Sequence, residues 1–304
     1  MRVLVLGSTG FLGRLALAEL RAAGHAVEAW SRGAADVPAR GERRVDLARD
    51  ELPVPSARPD AALCLAGPAV PARFTAGVEG AETLSITSRV LEHLERHAPG
   101  ARLVLVSSAH VLAPSAARLA EDAARAPQGD YGAAKARAED LALAAGGLEV
   151  VVARLFGSLG PGLPRGLLVP ELLAELARGA RHVRLAGPDG ARDWMDGRDV
   201  ARALRLLLEH RHVPGRIVHV GTGRATRASE LAARLARAVG SRARIEFAPG
   251  EAPARIADPA RLVAVTGSDR RRDLDDTLAW IVRGTRGLGC TAEDPPAQGV
   301  QGPA

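Results

Sequence analysis

A glycine-rich run directly behind a short apolar strand fixes most of what this chain can become. Val3-Leu4-Val5-Leu6 reads as a buried strand, and Gly7-Ser8-Thr9-Gly10-Phe11-Leu12-Gly13 follows without a break. Leu12 to Ala23 then carries apolar residues at helical spacing, with Leu15, Leu20 and several alanines on the inner side. Gly7, Gly10 and Gly13 let the backbone turn sharply and approach a ligand closely. The helix start behind them points free N–H groups at negative charge. A glycine run alone also serves plain tight turns. Placed between a strand and a helix it predicts a dinucleotide pyrophosphate site built from Gly7, Thr9, Gly10, Phe11, Leu12 and Gly13.

Apolar runs and helical patterns keep alternating through the first half, which predicts parallel βαβ units. Strands are expected at Ala26 to Trp30, Ala61 to Leu65, Leu103 to Val106 and Glu149 to Arg154. Helices are expected at Ala81 to His97 and Asp130 to Ala145, the second ended by Gly146-Gly147 as a glycine C-cap. Residues 33–59 are rich in Pro, Arg and Asp and predict loops, with one short strand ending near Val45. The second half is less regular, with helices at 167–178, 198–210, 228–239 and 273–283 and short strands at 182–185, 216–220 and 243–247.

The expected fold is α/β: a Rossmann-type doubly wound parallel sheet with a smaller C-terminal α/β substrate domain. Residues 1–155 form mainly the dinucleotide-binding domain. Residues 156–283 form mainly the substrate-binding region, with some segments returning to the sheet. Residues 284–304 are Gly/Pro-rich and polar, and the expectation there is a disordered tail.

Composition excludes several classes. The net charge of +6 comes almost wholly from arginines scattered along the chain. No aromatic–basic interleaving accompanies them, so no nucleic-acid partner is expected. Cys64 and Cys290 stand far apart without a spacing motif, and neither a metal site nor a disulfide framework is expected. No apolar run reaches membrane-spanning length. The start reads as a buried strand and not a signal peptide, so the expectation is a soluble, cytoplasmic protein.

Tyr131 and Lys135 are the only tyrosine and the only lysine in the 304 residues, and they stand four positions apart. That spacing stacks two side chains on one helix face. A phenol beside a fixed cation is a proton donor, because the cation favours the phenolate. The bland alternative is a core tyrosine beside a solvated lysine. Ser107-Ser108-Ala109 ends the strand at Leu103 to Val106, and ligands bind beyond the carboxyl ends of parallel strands. With Tyr131 and Lys135, Ser108 completes a Ser–Tyr–Lys set.

The second strand ends at Ala29-Trp30-Ser31-Arg32, where a cofactor lacking a 2′-phosphate usually meets a carboxylate. A hydroxyl and a guanidinium suit a 2′-phosphate, so NADP (as NADPH) is favoured over NAD. The alternative is that Arg32 is one more surface arginine. Asp46-Leu47 either sits beside the adenine or supplies a loop-capping aspartate.

These pieces together resemble the extended short-chain dehydrogenase/reductase family, its nucleotide-sugar epimerase/dehydratase/reductase group. The match runs to about residue 283. Its parts are Gly7/Gly10/Gly13, Asp60-Ala61-Ala62-Leu63-Cys64-Leu65-Ala66-Gly67, Ser107-Ser108, Tyr131-Gly132-Ala133-Ala134-Lys135, and Arg154-Leu155-Phe156 running into Gly160-Pro161-Gly162. Later come Arg192-Asp193-Trp194-Met195-Asp196-Gly197-Arg198-Asp199-Val200, Val218-His219-Val220-Gly221-Thr222-Gly223 and Asp258-Pro259-Ala260-Arg261. The Arg-Asp-aromatic run and the short length most resemble the GDP-4-keto-6-deoxymannose reductases.

The resemblance implies hydride transfer between a nicotinamide cofactor and a sugar ketone. It makes Tyr131 the general acid on the ketone oxygen, Lys135 the partner of the nicotinamide ribose, and Ser108 the group that orients the carbonyl. It adds Leu65, Ala66, Gly67 and Ser107 to the cofactor contacts, and Ser108, Ala109, Arg154 and Gly157 to the substrate contacts. It also implies a homodimer built on the helices near 81–97 and 130–145.

Departures from the family pattern bear on substrate. Gly157 and Thr83 stand where asparagines are usual, Cys64 where a histidine is usual, and the chain contains no Asn. A family arginine that clasps the diphosphate aligns with Ala248, and Arg255, Arg192 or Arg224 can take its place. The slots for a second acid/base pair hold Ala109-His110-Val111-Leu112 and Gly166-Leu167-Leu168-Val169-Pro170, which favours simple 4-keto reduction of a nucleotide sugar; His110 could act as a lone base. The alternatives are a 4-epimerase, a reductase of a non-sugar ketone, and a non-catalytic NADP-binding protein.

Overall fold

The computed structural model describes residues 1–287 apart from 34–40, 72, 73, 251, 253, 268 and 270. The first half runs β1 (Arg2–Leu6), α1 (Phe11–Ala22), β2 (Ala26–Ser31), β3 (Glu42–Arg44), β4 (Ala61–Cys64), α2 (Val78–His97), β5 (Arg102–Ser108), β6 (Arg118–Leu119), α3 (Gly129–Ala144) and β7 (Glu149–Leu155). The second half runs β8 (Ser158–Leu159), α4 (Leu168–Ala177), β9 (His182–Pro188), β10 (Ala191–Asp193), β11 (Met195–Asp196) and α5 (Gly197–Glu209). It ends with β12 (Ile217–Val220), β13 (Ala225–Arg227), α6 (Ala228–Val239), β14 (Arg244–Ala248), β15 (Ile256–Ala257), α7 (Ala260–Thr266) and α8 (Leu274–Gly287).

Seven strands form one parallel sheet in the order β12-β7-β5-β4-β1-β2-β3. Successive side chains of a strand point to opposite faces, so β1 feeds two cores. Val3 and Val5 pack with Leu17 and Leu20 of α1 and with Val200 and Leu204 of α5. Leu4 and Leu6 pack with Ile86, Val90 and Leu94 of α2 and Ala142 of α3. A sheet covered on both faces needs unbroken apolar strands, which explains why β1 does not alternate with polar residues. Each fully buried leucine stabilises the fold by about 1.5–3 kcal/mol relative to exposure.

A third core gathers Leu172 and Leu176 of α4, Leu231 and Leu235 of α6, and Leu278 and Ile281 of α8. This is the smaller C-terminal lobe. The chain does not divide cleanly near residue 155, because α5 packs on α1, and β12 pairs with β7 inside the main sheet.

Several local expectations are corrected. Helix α3 ends at Ala144 with Ala145 extended, and neither Gly146 nor Gly147 takes a left-handed conformation. Gly147 instead lies against the Glu95 side chain of α2, whose Oε1 accepts its N–H at 3.2 Å. Helix α2 starts three residues before Ala81, at Val78. Helix α7 lies where no element was expected. The segment expected to be disordered begins inside α8, which runs to Gly287, and 288–304 lie outside the described residues.

Candidate active site

The sheet order reverses between β1 and β4, the place where doubly wound sheets bind ligands beyond the carboxyl ends of their strands. The glycine run follows β1 at this point. Gly7 has φ +88°, and a Cβ on it would lie 2.8 Å from the Ala66 nitrogen. A Cβ on Gly13 would lie 2.2 Å from the Gly7 carbonyl oxygen. The loop therefore presses against Leu65 and Ala66 behind β4 at Gly7, and against its own start at Gly13, with no room for a side chain at either glycine. The N-cap of α1 is Gly10, which brings no side chain to the first-turn N–H groups, and no acidic residue lies in that turn. Open N–H groups at a helix start with backbone-only walls fit a pyrophosphate.

At the end of β2 the Ser31 hydroxyl donates to the Gly33 carbonyl at 3.1 Å, and Ser31 is buried. Arg32 Nη1 donates to Glu82 Oε1 of α2 at 2.8 Å. Asp46 accepts the Ala48 N–H at 3.0 Å, so its carboxylate caps the loop. Leu47 is buried in the core beneath α2.

The Ser–Tyr–Lys set comes together by two devices. β5 ends on Ser108 and passes into a tight turn over Ala109–Val111. Helix α3 lies on that turn so closely that a Cβ on Gly132 would be 2.4 Å from the His110 carbonyl oxygen. The glycine of Tyr131-Gly132-Ala133-Ala134-Lys135 is thus what brings Tyr131 beside the end of β5. The Tyr131 ring stands edge-on between His110 (centroids 5.4 Å apart) and Phe74 (5.3 Å). Lys135 Nζ lies 5.9 Å from the Tyr131 ring centroid. Its charge also reaches the end of β4, where burial pushes the Cys64 thiol up and Lys135 partly offsets that.

His110 is held by Ser108, whose Oγ accepts its backbone N–H at 3.3 Å and lies 3.1 Å from its Nδ1. Burial, then the charges of Arg255 and Arg192, lower the His110 imidazole to about 4, so it is neutral at pH 7. Those two arginines sit opposite one another on a backbone bridge between residues 192 and 255. Arg255 is buried, and its Nε donates to the Leu112 carbonyl at 3.2 Å. Among the described residues neither arginine is paired with a carboxylate. Asp193 fixes the frame around them. Fully buried, it accepts the N–H groups of Thr222 at 2.8 Å, Gly223 at 2.9 Å and Ala257 at 3.1 Å. Arg192 is exposed and Arg255 buried; the charge of Arg192 is felt by Arg255 and both charges by His110, so positive potential gathers beside the end of β5.

The sequence profile of the NAD dependent epimerase/dehydratase family matches residues 3–221. The chain belongs to that family. It is 31% identical over 238 residues to the GDP-6-deoxy-D-mannose reductase of Pseudomonas aeruginosa, covering 73% of this chain and 75% of the relative. It is 32% identical over 253 residues to the dTDP-6-deoxy-L-talose 4-dehydrogenase (NAD(P)(+)) of Kitasatospora kifunensis, covering 76% of each. Among solved structures it resembles MoeE5 in complex with UDP-glucose and NAD, at TM-score 0.82 and 29% identity, covering 95% of this chain and 99% of that one. It also resembles RMD from Pseudomonas aeruginosa complexed with NADPH, at TM-score 0.82 and 26% identity, covering 94% and 99%.

Four residues expected to meet ligand are packed into or against the interior. Arg154 is 1% exposed, and its Nε and Nη2 donate to Glu139 at 2.9 and 2.7 Å. It belongs to the interior. The Ser107 hydroxyl donates to the same Glu139 at 2.6 Å and is likewise buried. Ala109 is 2% exposed. Gly157 packs flush on Asp193, and a Cβ there would lie 2.5 Å from the Asp193 carbonyl oxygen. That close approach, and not only the lack of Asn in the composition, excludes a larger residue at 157.

Sequence reasoning passed over Glu82, Glu139 and the role of Asp193. Each acts through a partner distant in sequence. The one available signal was for Asp193, which follows Arg192 in the matched family motif.

Proposed function

We propose that the protein catalyses NADPH-dependent reduction of the 4-keto group of a nucleotide-linked deoxysugar, with Tyr131 as general acid. The observation that carries this reading is the meeting of Ser108, Tyr131 and Lys135 beside an uncompensated arginine pair. Glycine loop and open α1 N-terminus fit the coenzyme pyrophosphate, and Arg32 stands where a 2′-phosphate would be read. Lys135 is the residue that would hold the nicotinamide ribose. When bound, the coenzyme supplies a hydride.

Chain residues do the rest. Arg192 and Arg255 take the nucleotide diphosphate, compensating for the alanine at 248. The Ser108 hydroxyl holds and orients the ketone oxygen. The Tyr131 hydroxyl gives its proton to that oxygen as charge develops there, and the Lys135 ammonium stabilises the phenolate left behind. Neutral His110 keeps Ser108 in place without adding a competing charge.

Similarity to a GDP-6-deoxy-D-mannose reductase, and to RMD crystallised with NADPH, supports the reduction and the coenzyme. A second reading, nucleotide-sugar 4-epimerisation with retained NAD, is favoured by one observation. A solved structure described as a putative epimerase, from Burkholderia cenocepacia J2315, is similar at TM-score 0.78 and 30% identity, covering 94% of this chain and 98% of that one. Incubating the protein with a panel of nucleotide 4-keto sugars and NADPH, with products assigned by NMR, separates them. Net NADPH consumption with an alcohol product supports reduction. Interconversion of 4-epimeric nucleotide sugars without net coenzyme turnover replaces it.

We also propose that two copies pair through α2 and α3, which lie side by side and leave Val78 and Leu141 exposed at 69% and 42%. Sedimentation at micromolar concentration that yields a monomer removes this part. Among the described residues no helix is long and apolar enough to cross a membrane.

A further inference from the structure

The guanidinium expected to read the 2′-phosphate is already engaged. Arg32 Nη1 donates to Glu82 Oε1 at 2.8 Å, and the two side chains are 57% and 17% exposed. Glu82 lies in the second turn of α2. The end of β2 abuts the glycine loop, since a Cβ on Gly33 would lie 3.0 Å from Thr9 Oγ1. Ser31 cannot substitute for Arg32 as a donor without leaving the Gly33 carbonyl, which its hydroxyl occupies.

We propose that Glu82 is a coenzyme-selecting residue that offsets the preference Arg32 gives to NADPH. This rests on the reading that the glycine loop holds a nicotinamide dinucleotide with its adenosine ribose at the end of β2. A 2′-phosphate arriving there must displace the Glu82 carboxylate from Arg32 and then sit near it as a like charge. A 2′-hydroxyl meets neither cost, and a free carboxylate oxygen can accept its proton. The pair therefore holds the pocket near neutrality and admits both coenzymes, where Arg32 alone would admit mainly one. Selection lies on a helix that the strand-end sequence does not reveal.

The test is binding, read without any sugar substrate. NADPH and NADH are titrated separately by coenzyme fluorescence against the full chain and against Glu82→Gln, which keeps the side-chain shape and removes the charge. Removing one like charge at a partly exposed site should tighten NADPH by about fivefold and leave NADH unchanged or weaker. In Arg32→Gln the same Glu82→Gln change should have a smaller effect, because the competition for the guanidinium is gone. Both coenzymes binding with a ratio unchanged by Glu82→Gln overturns the assignment of Glu82 alone. A parent chain that binds neither coenzyme overturns the dinucleotide reading as well.

Discussion

The Ser108 hydroxyl oxygen lies 3.1 Å from Nδ1 of His110 and accepts the His110 backbone N–H at 3.3 Å. With the ring proton on Nδ1, Ser108 accepts twice and its own O–H is left to donate outward to a ketone oxygen. His110 is then a positioning residue for Ser108. His110→Phe keeps an aromatic edge against Tyr131 and removes Nδ1. The expected result is a kcat lower by roughly tenfold with NADPH affinity held. His110→Asn places an amide N–H near the Nδ1 position and should restore most of the rate. Equal losses in both variants would make the ring merely structural.

Tyr131 stands with its ring clamped between Phe74 and His110, so Tyr131→Phe changes one oxygen and leaves the packing. Loss of a general acid costs about 10²- to 10⁴-fold in turnover. NADPH affinity, measured by fluorescence, should stay within about twofold, since this binding does not depend on the proton donor. Turnover close to that of the parent removes Tyr131 as the acid.

Glu139 and Arg154 form a fully buried pair, with Ser107 as a third partner. Removing one partner strands the other charge in the interior. Glu139→Ala should therefore lower stability by about 3–5 kcal/mol in urea denaturation, and Arg154→Met by a similar amount. The double variant Glu139→Leu with Arg154→Met should recover much of the loss. An Arg154→Met protein of parental stability with weakened substrate binding would return Arg154 to the substrate site.

Buried histidines contribute to the loss of stability in acid. His219 is fully buried and lies 3.4 Å from Arg154 Nη1 and 3.0 Å from the Leu119 carbonyl. Burial first, with Arg154 among the lesser causes, lowers it from 6.5 to about 4. The unfolded chain therefore binds more protons between those values. Stability is full above pH 6.5 and falls as pH drops toward 4, by at most on the order of 3 kcal/mol from this group. His93 is lowered to about 4 as well, chiefly by burial, and adds to the same limb. Melting temperatures at pH 7.5 and 4.5 should differ less in His219→Gln than in the parent. Equal differences would exclude His219 from the acid transition.

What the sequence made legible follows from range. The β1–glycine–α1 unit, the α3 helix with Tyr131 and Lys135, and the β5 end with Ser108 each carry their signal within about fifteen residues. Their meeting is enforced by parallel topology, which the alternation of elements already implied. What stayed hidden concerns long-range partners. Arg154 matched a family position, but nothing in its neighbourhood announced that Glu139, on what read as an ordinary helix, would take its charge. Gly157 read as a lost asparagine until the Asp193 backbone was seen to fill the space. Gly146-Gly147 carried the composition of a helix cap, yet neither is left-handed and Gly147 instead donates its N–H to Glu95. Arg32 stands out in the sequence as a cation at the end of β2, while its counter-charge lies fifty positions on, at Glu82.

Arg255 offers a last discriminating prediction, because its charge can be read at a neighbouring atom. Arg255 is the largest electrostatic cause, after burial, of the low His110 value, and Arg192 follows. Removing a positive charge favours imidazolium, so Arg255→Met should move His110 upward from about 4 in an NMR titration of its ring protons. A diphosphate held by the pair does the same by neutralising both arginines. Adding GDP or UDP to the parent should raise His110, and the effect should shrink in Arg255→Met together with nucleotide affinity. If either nucleotide binds the parent while His110 stays fixed, the diphosphate lies elsewhere and the arginine pair loses its proposed role.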